Sequence, residues 1–352
     1  MPTGGRVIAY IFNEGAENMR GKVIGLYAIL GAANLAAWAW ALAAFRDYPV
    51  LLGMALLSYG FGLRHAVDAD HIAAIDNVTR KLMQDGKRPA AVGFFFALGH
   101  STIVILAVFA IAVTANAFKG RFAALHGIGS LVSTLVSALF LLAIAAMNVV
   151  ILVGVYRAFR RARDGGSWED EELNMLLAGR GFLARLFRPL FGMIRHSWHM
   201  YPLGFLFGLG FDTATEVSLL GLSAAQAAHG MPIWSILVFP ALFTAGMSLV
   251  DTTDGVLMLG AYGWAFVKPI RKLYYNLTIT AISILVALFV GGIEALGLAA
   301  DRFGLTGLFW GWIAALNDNF GTIGYAVIAI FVVSWTVSAV IYRACGYDRL
   351  EA

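Results

Sequence analysis

Thiols are almost missing from this sequence: Cys345 is the one cysteine in 352 residues. A single thiol excludes an internal disulfide and a cysteine-based metal cluster. Charge is scarce too, at 13% Asp, Glu, Lys and Arg, where an ordinary soluble domain carries roughly 25%. No cleavable leader is evident, because Arg6, Glu14, Glu17 and Arg20 interrupt the first 20 residues. The first apolar stretch is expected to serve as its own insertion signal. His-Glu-x-x-His is absent, which removes support for zincin-type protease chemistry. The net charge of +4 does not mark a nucleic-acid binder, since the Lys and Arg cluster at the ends of apolar runs, where membrane topology explains them.

What fills the chain is hydrocarbon, at 60% hydrophobic residues. Apolar runs of about 20 residues are long enough to cross a bilayer as helices. The runs predict an all-α polytopic membrane helix bundle of about eight spans, near 22–45, 49–78, 89–115, 127–157, 201–228, 232–266, 274–299 and 320–342. They recur along the whole chain, so residues 1–352 read as one transmembrane domain with a cytoplasmic loop at about 158–200. Lys and Arg concentrate in alternate loops: Arg80, Lys81, Lys87 and Arg88; Arg157 through Arg195; Lys268, Arg271 and Lys272. The other loops carry little beyond Arg46, Lys119, Arg121 and Arg302. The positive-inside rule then places both termini in the cytoplasm.

A faint internal repeat runs through the spans. Gly62-x5-Asp68 echoes Gly210-x5-Glu216, Phe96-x-x-Gly99-x-Ser101 echoes Phe243-x-x-Gly246-x-Ser248, and Ser137 and Asn148 echo Ser283 and Glu294. The offsets are 148, 147 and 146 residues. Three spans separate the copies, so spans 5–7 would repeat spans 2–4 with opposite orientation, an arrangement of many secondary transporters. Chance is the competing explanation, as Gly and Ser are common in membrane helices.

Ionisable residues inside spans are costly and mark functional paths. The second expected span carries Arg64, His65, Asp68, Asp70, His71 and Asp76; the third His100; the fifth Asp212 and Glu216; the sixth Asp251 and Asp254; the seventh Glu294. Against these acids Arg64 is the one permanent cation within the expected spans, so protons or a bound cation must balance the rest. On a straight helix His65, Asp68 and His71 share an arc of roughly 120° and Asp70 points away. Asp70 then either fixes a histidine tautomer or pairs with Arg64, or the helix is irregular there, which Gly60 and Gly62 favour. Met247, Asp251, Asp254 and Met258 form one stripe, in which the methionines are more often core filling than ligands. Imidazole and carboxylate without thiolate suit nickel, cobalt or zinc, whereas calcium or magnesium favours all-oxygen sites.

The run from Arg64 to Ile72, with its His-x4-Asp-His spacing, resembles the signature of the bacterial and fungal nickel–cobalt transporter family. Leu98-Gly99-His100-Ser101, the stretch from Leu209 to Glu216 and the stretch from Gly246 to Asp254 resemble that family's motifs in the third, fifth and sixth spans. The resemblance covers essentially the whole chain. It implies an eight-span permease of the bacterial cytoplasmic membrane, taking up nickel, cobalt or both with high affinity. No ATPase subunit or resident cofactor is implied; the ion is substrate. The resemblance associates the first two spans with selectivity. There Asn34 is placed to bond or co-ligate with His65, and Val67 stands where cobalt-accepting members tend to carry Phe, which favours nickel.

The expected metal site is thus His65, Asp68, Asp70, His71, His100, Asp212, Glu216, Asp251 and Asp254, with Asn34, Arg64, Val67, Thr215 and Met247 around it. Glu294 reads as a proton-coupling carboxylate or an end-of-span residue. Two other functions compete. A membrane-embedded metalloenzyme would retain its metal through purification, but the seven histidines are too scattered for a desaturase-like di-iron site. A proton- or sodium-coupled exchanger fits the carboxylates but gives the histidines no use.

Overall fold

The computed structural model describes residues 11–15, 18–114, parts of 131–160, 194–209, 214–265 and 269–344. Helix is the one kind of regular secondary structure among the described residues. In chain order they form α1 (Met19–Phe45), α2 (Pro49–His65), α3 (Ala69–Gln84) and α4 (Val92–Thr114), then α5 (Thr134–Ala146). There follow α6 (Met200–Phe207), α7 (Ala214–Ala228), α8 (Val238–Ala265), α9 (Pro269–Phe303), α10 (Leu308–Asn317) and α11 (Phe320–Ala344).

Four segments are long and apolar enough to cross a membrane unaided: Met19–Phe45, Val92–Val113, Ile233–Gly263 and Leu277–Phe303. Two bent pairs qualify if each counts as one span. Pro49–His65 and Ala69–Gln84 meet at 52°, and Leu308–Asn317 and Thr322–Ser338 at 78°. That gives four to six spans among the described residues, where the sequence predicts eight. The expected fourth span falls partly outside the described residues, and the expected fifth is divided into the short helices α6 and α7. The 158–200 loop, with its Trp168–Glu172 acidic stretch, lies almost wholly outside them.

The distribution of polarity is that of a membrane protein. Leu35, Leu106, Leu257, Leu285 and Phe289 face outward, while His65, His71, Asp76, His100, Glu216 and Asp251 are buried. Water would favour the reverse; a hydrocarbon solvent accepts the apolar exterior and forces polar groups to find partners inside.

At the centre α8 packs against α1, α2, α3 and α4, and α6 packs against α4. These approaches need glycine. A Cβ on Gly62 of α2 would stand 2.1 Å from Phe243 O, and one on Gly246 2.7 Å from Tyr59 O. At the α4–α6 contact the distances are 2.0 Å from Gly99 to Tyr201 O and 2.1 Å from Gly204 to Phe96 O. Gly62 therefore serves contact rather than irregularity.

The irregularity of the second expected span comes later, at Ala66–Asp68. Val67 N donates to Arg64 O at 3.1 Å and Asp68 N to His65 O at 2.9 Å, a tightening that ends α2. Asp68 is extended, at φ −65° and ψ 145°, and stands at the N-cap position of α3. Asp70 follows in the first turn, where a carboxylate favours the helix N-terminus. Nearly all of α3 is buried, among α8, α9 and α11.

Ahead of the first helix, Glu14 ties three segments together. Ser197 donates to its carboxylate from both backbone N and Oγ, Lys87 Nζ lies 3.2 Å away, and His196 Nδ1 3.0 Å away. Burial acts to raise the carboxyl pKa, but the Ser197 and Lys87 contacts outweigh it and hold the group below its ordinary value.

Candidate metal site

The break brings together side chains that a straight helix would hold apart. His65 ends α2, His71 lies in the first turn of α3, and His100 comes from α4; all three are buried. One nitrogen from each lies within 4.8 Å of the others. His65 Nε2 and His100 Nε2 are 2.9 Å apart, and His100 Nε2 is 2.8 Å from Glu216 Oε1 on α7. His65 Nε2 is 3.9 Å from the same carboxylate oxygen.

These separations have a chemical meaning. Metal–nitrogen bonds of about 2.0–2.1 Å place neighbouring ligand atoms about 3 Å apart at right angles. Three lone-pair atoms separated by 2.8, 2.9 and 3.9 Å fit edges of such a polyhedron. Each Nε2 of a neutral imidazole carries at most one proton, so hydrogen bonding alone serves this convergence poorly. A divalent cation satisfies all three atoms together.

Two of the three rings, His65 and His71, are held from behind, whereas His100 Nδ1 is buried without a hydrogen-bond partner. Asp68 Oδ2 lies 3.0 Å from His65 Nδ1, and Thr215 Oγ1 3.3 Å from the same nitrogen. Asp251 Oδ1 lies 3.3 Å from His71 Nδ1, and His71 Nε2 is buried and without a hydrogen-bond partner. A carboxylate on one imidazole nitrogen fixes the tautomer and leaves the other nitrogen to a metal. Phe96 sits 4.8 Å from the His71 ring and Phe243 5.5 Å from the His65 ring. These two aromatics, which the sequence marks only as repeat positions, wall the site against water.

The remaining expected residues divide. Asp70 accepts from His71 N at 2.9 Å, which braces the first turn of α3. Asp254 Oδ2 is buried without a hydrogen-bond partner. Met247 is fully buried, its sulfur 3.9 Å from Ser101 Oγ. Val67 is buried at the break. Asp212 lies outside the described residues. Asn34 does not bond His65; it donates to Leu30 O and Ala245 O and accepts from Tyr59 Oη at 3.0 Å. Glu294 accepts from Ser137 at 2.7–2.8 Å, which ties α9 to α5.

The expected internal cation is corrected. Arg64 is exposed and forms no ion pair with Asp68 or Asp70. Arg80, expected in a loop, is buried because α3 continues to Gln84. It donates to Thr280 Oγ1 at 2.9 Å and to Asn77 Oδ1 at 3.0 Å. Beside it Asp76 accepts from Tyr262 Oη and, at 2.9 Å, from Ser283 Oγ. Sequence reasoning missed this second polar cluster, although Asp76 and Arg80 stand i, i+4 on one helix.

Comparison with known proteins now adds a family. Residues 51–341 match the family described as high-affinity nickel-transport protein. The chain is 64% identical over 332 residues to a high-affinity nickel transport protein of Cupriavidus necator, covering 94% of this chain and 95% of the relative. It is 44% identical over 301 residues to the high-affinity nickel-transport protein NixA of Helicobacter pylori strain 26695, covering 85% and 90%. It is 42% identical over 289 residues to the cobalt transport protein NhlF of Rhodococcus rhodochrous, covering 81% of each chain. No solved structure matches.

Proposed function

Because the chain belongs to the high-affinity nickel-transport protein family, we propose that it carries nickel into the cell, with cobalt as a secondary substrate, through the convergence of His65, His71, His100 and Glu216. It is a multi-pass membrane transport protein rather than an enzyme. The observation that carries the site assignment is the approach of His65 Nε2, His100 Nε2 and Glu216 Oε1 within 2.8–3.9 Å in a buried, aromatic-walled space. His71 Nε2 is the fourth ligand. Asp68 and Asp251 orient rings, Thr215 supports His65, and Asp70 stabilises the start of α3. Asp212 and Asp254 belong to the ion path, and Met247 packs beneath it.

The broken helix suits this use. The carboxyl end of α2 presents the negative end of its dipole to a cation, and irregular backbone at membrane depth is tolerated where it lines such a site. An arriving ion exchanges water for imidazole and carboxylate. Inward movement of a divalent ion gains about 2 × 2.3 kcal/mol per 100 mV of inside-negative potential, enough for about a thousandfold accumulation or more without ATP. Protons compete for the same imidazoles, so uptake falls in acid.

We read the full bundle as eight spans with both termini cytoplasmic, built as an inverted repeat in a bacterial inner membrane. The glycine contacts support the repeat. Tyr59-x-x-Gly62 meets Phe243-x-x-Gly246 as Tyr201-x-x-Gly204 meets Phe96-x-x-Gly99. This pairing aligns Gly62 with Gly204 in place of Gly210, with an offset of 142 residues before the break. The alternating motion is then a rocking of one repeat against the other.

The test is accumulation of labelled nickel at trace concentration in cells lacking their own carriers, comparing the chain with an empty vector. Unlabelled cobalt, zinc and manganese are the competitors. The expected result is uptake above the empty vector, blocked strongly by cobalt and weakly by manganese. Uptake equal to the empty vector, with the protein present in the membrane, overturns the permease reading. Cobalt accumulation matching nickel overturns the stated preference.

A further inference from the structure

The last helix touches the break. A Cβ built on Gly324 of α11 would lie 1.6 Å from Val67 O and 3.3 Å from Ile72 Cδ1. No other glycine among the described residues makes so close an approach to a backbone oxygen. Val67 is the middle residue of the three that separate α2 from α3. His65 and Asp68 flank it, and they face each other across the break at 3.0 Å. Ile323, the neighbour of Gly324, is buried in the same apolar cluster as Val67, Ala69, Ile72 and Ala73.

From this contact we propose that Gly324 is a positioning residue for the ion site: α11 is the backstop that fixes the Val67 carbonyl, and through it the relative placement of His65, Asp68 and His71. The inference rests on the assignment of the imidazole convergence as the ion site. Two backbones in this contact are coupled more rigidly than two side chains, because neither surface has a rotamer to yield. The Cα–H of Gly324 against the Val67 oxygen adds a weak attraction of its own. A methyl group at 324 forces the two backbones to separate by about 1 Å or more, since packed atoms resist such overlap. The displacement falls on the connection between the two helices that carry His65 and His71, while α4, which carries His100, does not share it. Relative ligand placement changes while ligand identity is retained. Metals that share ligands are discriminated by geometry, so ion choice is the property this contact controls.

The experiment measures initial uptake rates against nickel concentration, and the ratio of nickel to cobalt uptake, for wild type, Gly324→Ala and Gly260→Ala, with membrane amounts matched by immunoblot. Gly260 has nothing within 4 Å of a built Cβ, so its variant reports what an added methyl does elsewhere in the bundle. Gly324→Ala is expected to raise the half-saturating nickel concentration by about tenfold or more and to change the nickel-to-cobalt ratio, while Gly260→Ala changes neither. Half-saturation and ratio both equal to wild type overturn the proposal. A lowered maximal rate with both unchanged also overturns it, since that is general packing damage. If Gly324→Ala does not reach the membrane, Ile323→Val loosens the same backstop without overlap. A shift in its half-saturation and ratio supports the proposal, and wild-type values overturn it. If wild type itself takes up no nickel, the permease reading has failed separately. The proposal is then decided by nickel and cobalt titration of the purified wild-type and Gly324→Ala proteins, where equal affinities overturn it.

Discussion

His65 and His71 belong to different helices, yet their ring centroids are 4.7 Å apart, with the ring planes at 73°. The three-residue break between α2 and α3 makes this possible, and a carboxylate steadies each ring. The two carboxylates separate charge from orientation. Asp251→Asn retains an oxygen to accept from His71 Nδ1 but loses the charge, whereas Asp251→Ala loses both. Asp251→Ala and Asp68→Ala are expected to weaken nickel affinity by about 10- to 100-fold, and Asp251→Asn by less. Nickel titration of the purified variants checks this ranking. Equal losses in Asn and Ala would place the effect in the charge alone.

The glycine contacts make a prediction about folding rather than transport. Gly62→Ala and Gly99→Ala each put a methyl within about 2 Å of a backbone oxygen, and overpacking of that kind costs about 1–3 kcal/mol or more. Both variants are expected to melt well below wild type in detergent. Gly53→Ala, with nothing within 4 Å, is expected to melt at the wild-type temperature or slightly above it.

Tyr262 and Ser283 satisfy the two oxygens of buried Asp76. Tyr262→Phe leaves one oxygen without its donor, a loss of about 1–3 kcal/mol for a buried polar group. Thermal melting is expected to drop accordingly. Nickel affinity should hold, because Asp76 lies outside the imidazole convergence. A large loss of affinity at unchanged stability would extend the ion site to Asp76.

Glu14 predicts a pH dependence outside the membrane. Its folded-state pKa is depressed by the Ser197 and Lys87 contacts, which prevail over burial. The stability it contributes is therefore complete at neutral pH and disappears as pH falls through the folded-state value, below the ordinary glutamate range. Glu14→Gln is expected to lower the melting temperature at neutral pH by a few degrees. The gap from wild type should close as the solution is acidified into and below that range. A gap that stays constant with pH would remove the carboxylate charge from the explanation.

Much of this site is legible in the sequence because burying an imidazole or carboxylate in a membrane is costly enough to need a reason. That argument, applied to every ionisable residue in the expected spans, marks twelve positions, of which the structure brings His65, Asp68, His71, His100, Glu216 and Asp251 together. Asp70, expected in the metal site, accepts from His71 N at the start of α3. The break itself is less legible. A straight helix at 100° per residue puts His65 and His71 on one arc by rotation, whereas the chain brings them together by bending at Ala66–Asp68, with no proline to announce it. Arg64 and Arg80 exchange roles for a similar reason. Apolar counting stops the second span near residue 78, but α3 remains helical to Gln84 and buried to Met83 because α8, α9 and α11 surround it. Asn34 has partners of its own in Tyr59 and Ala245, and a pairing across two helices leaves no mark in either one's periodicity. The role of Gly324 is equally silent, since its neighbour Val67 lies more than 250 residues away in sequence.

The most direct test of the central claim is X-ray absorption at the nickel edge on the purified protein loaded with one equivalent of nickel. The account predicts a nickel environment with three imidazoles and carboxylate oxygen in wild type, and one imidazole fewer in His71→Ala. A shell of oxygen ligands alone, or a wild-type spectrum retained in His71→Ala, would contradict it.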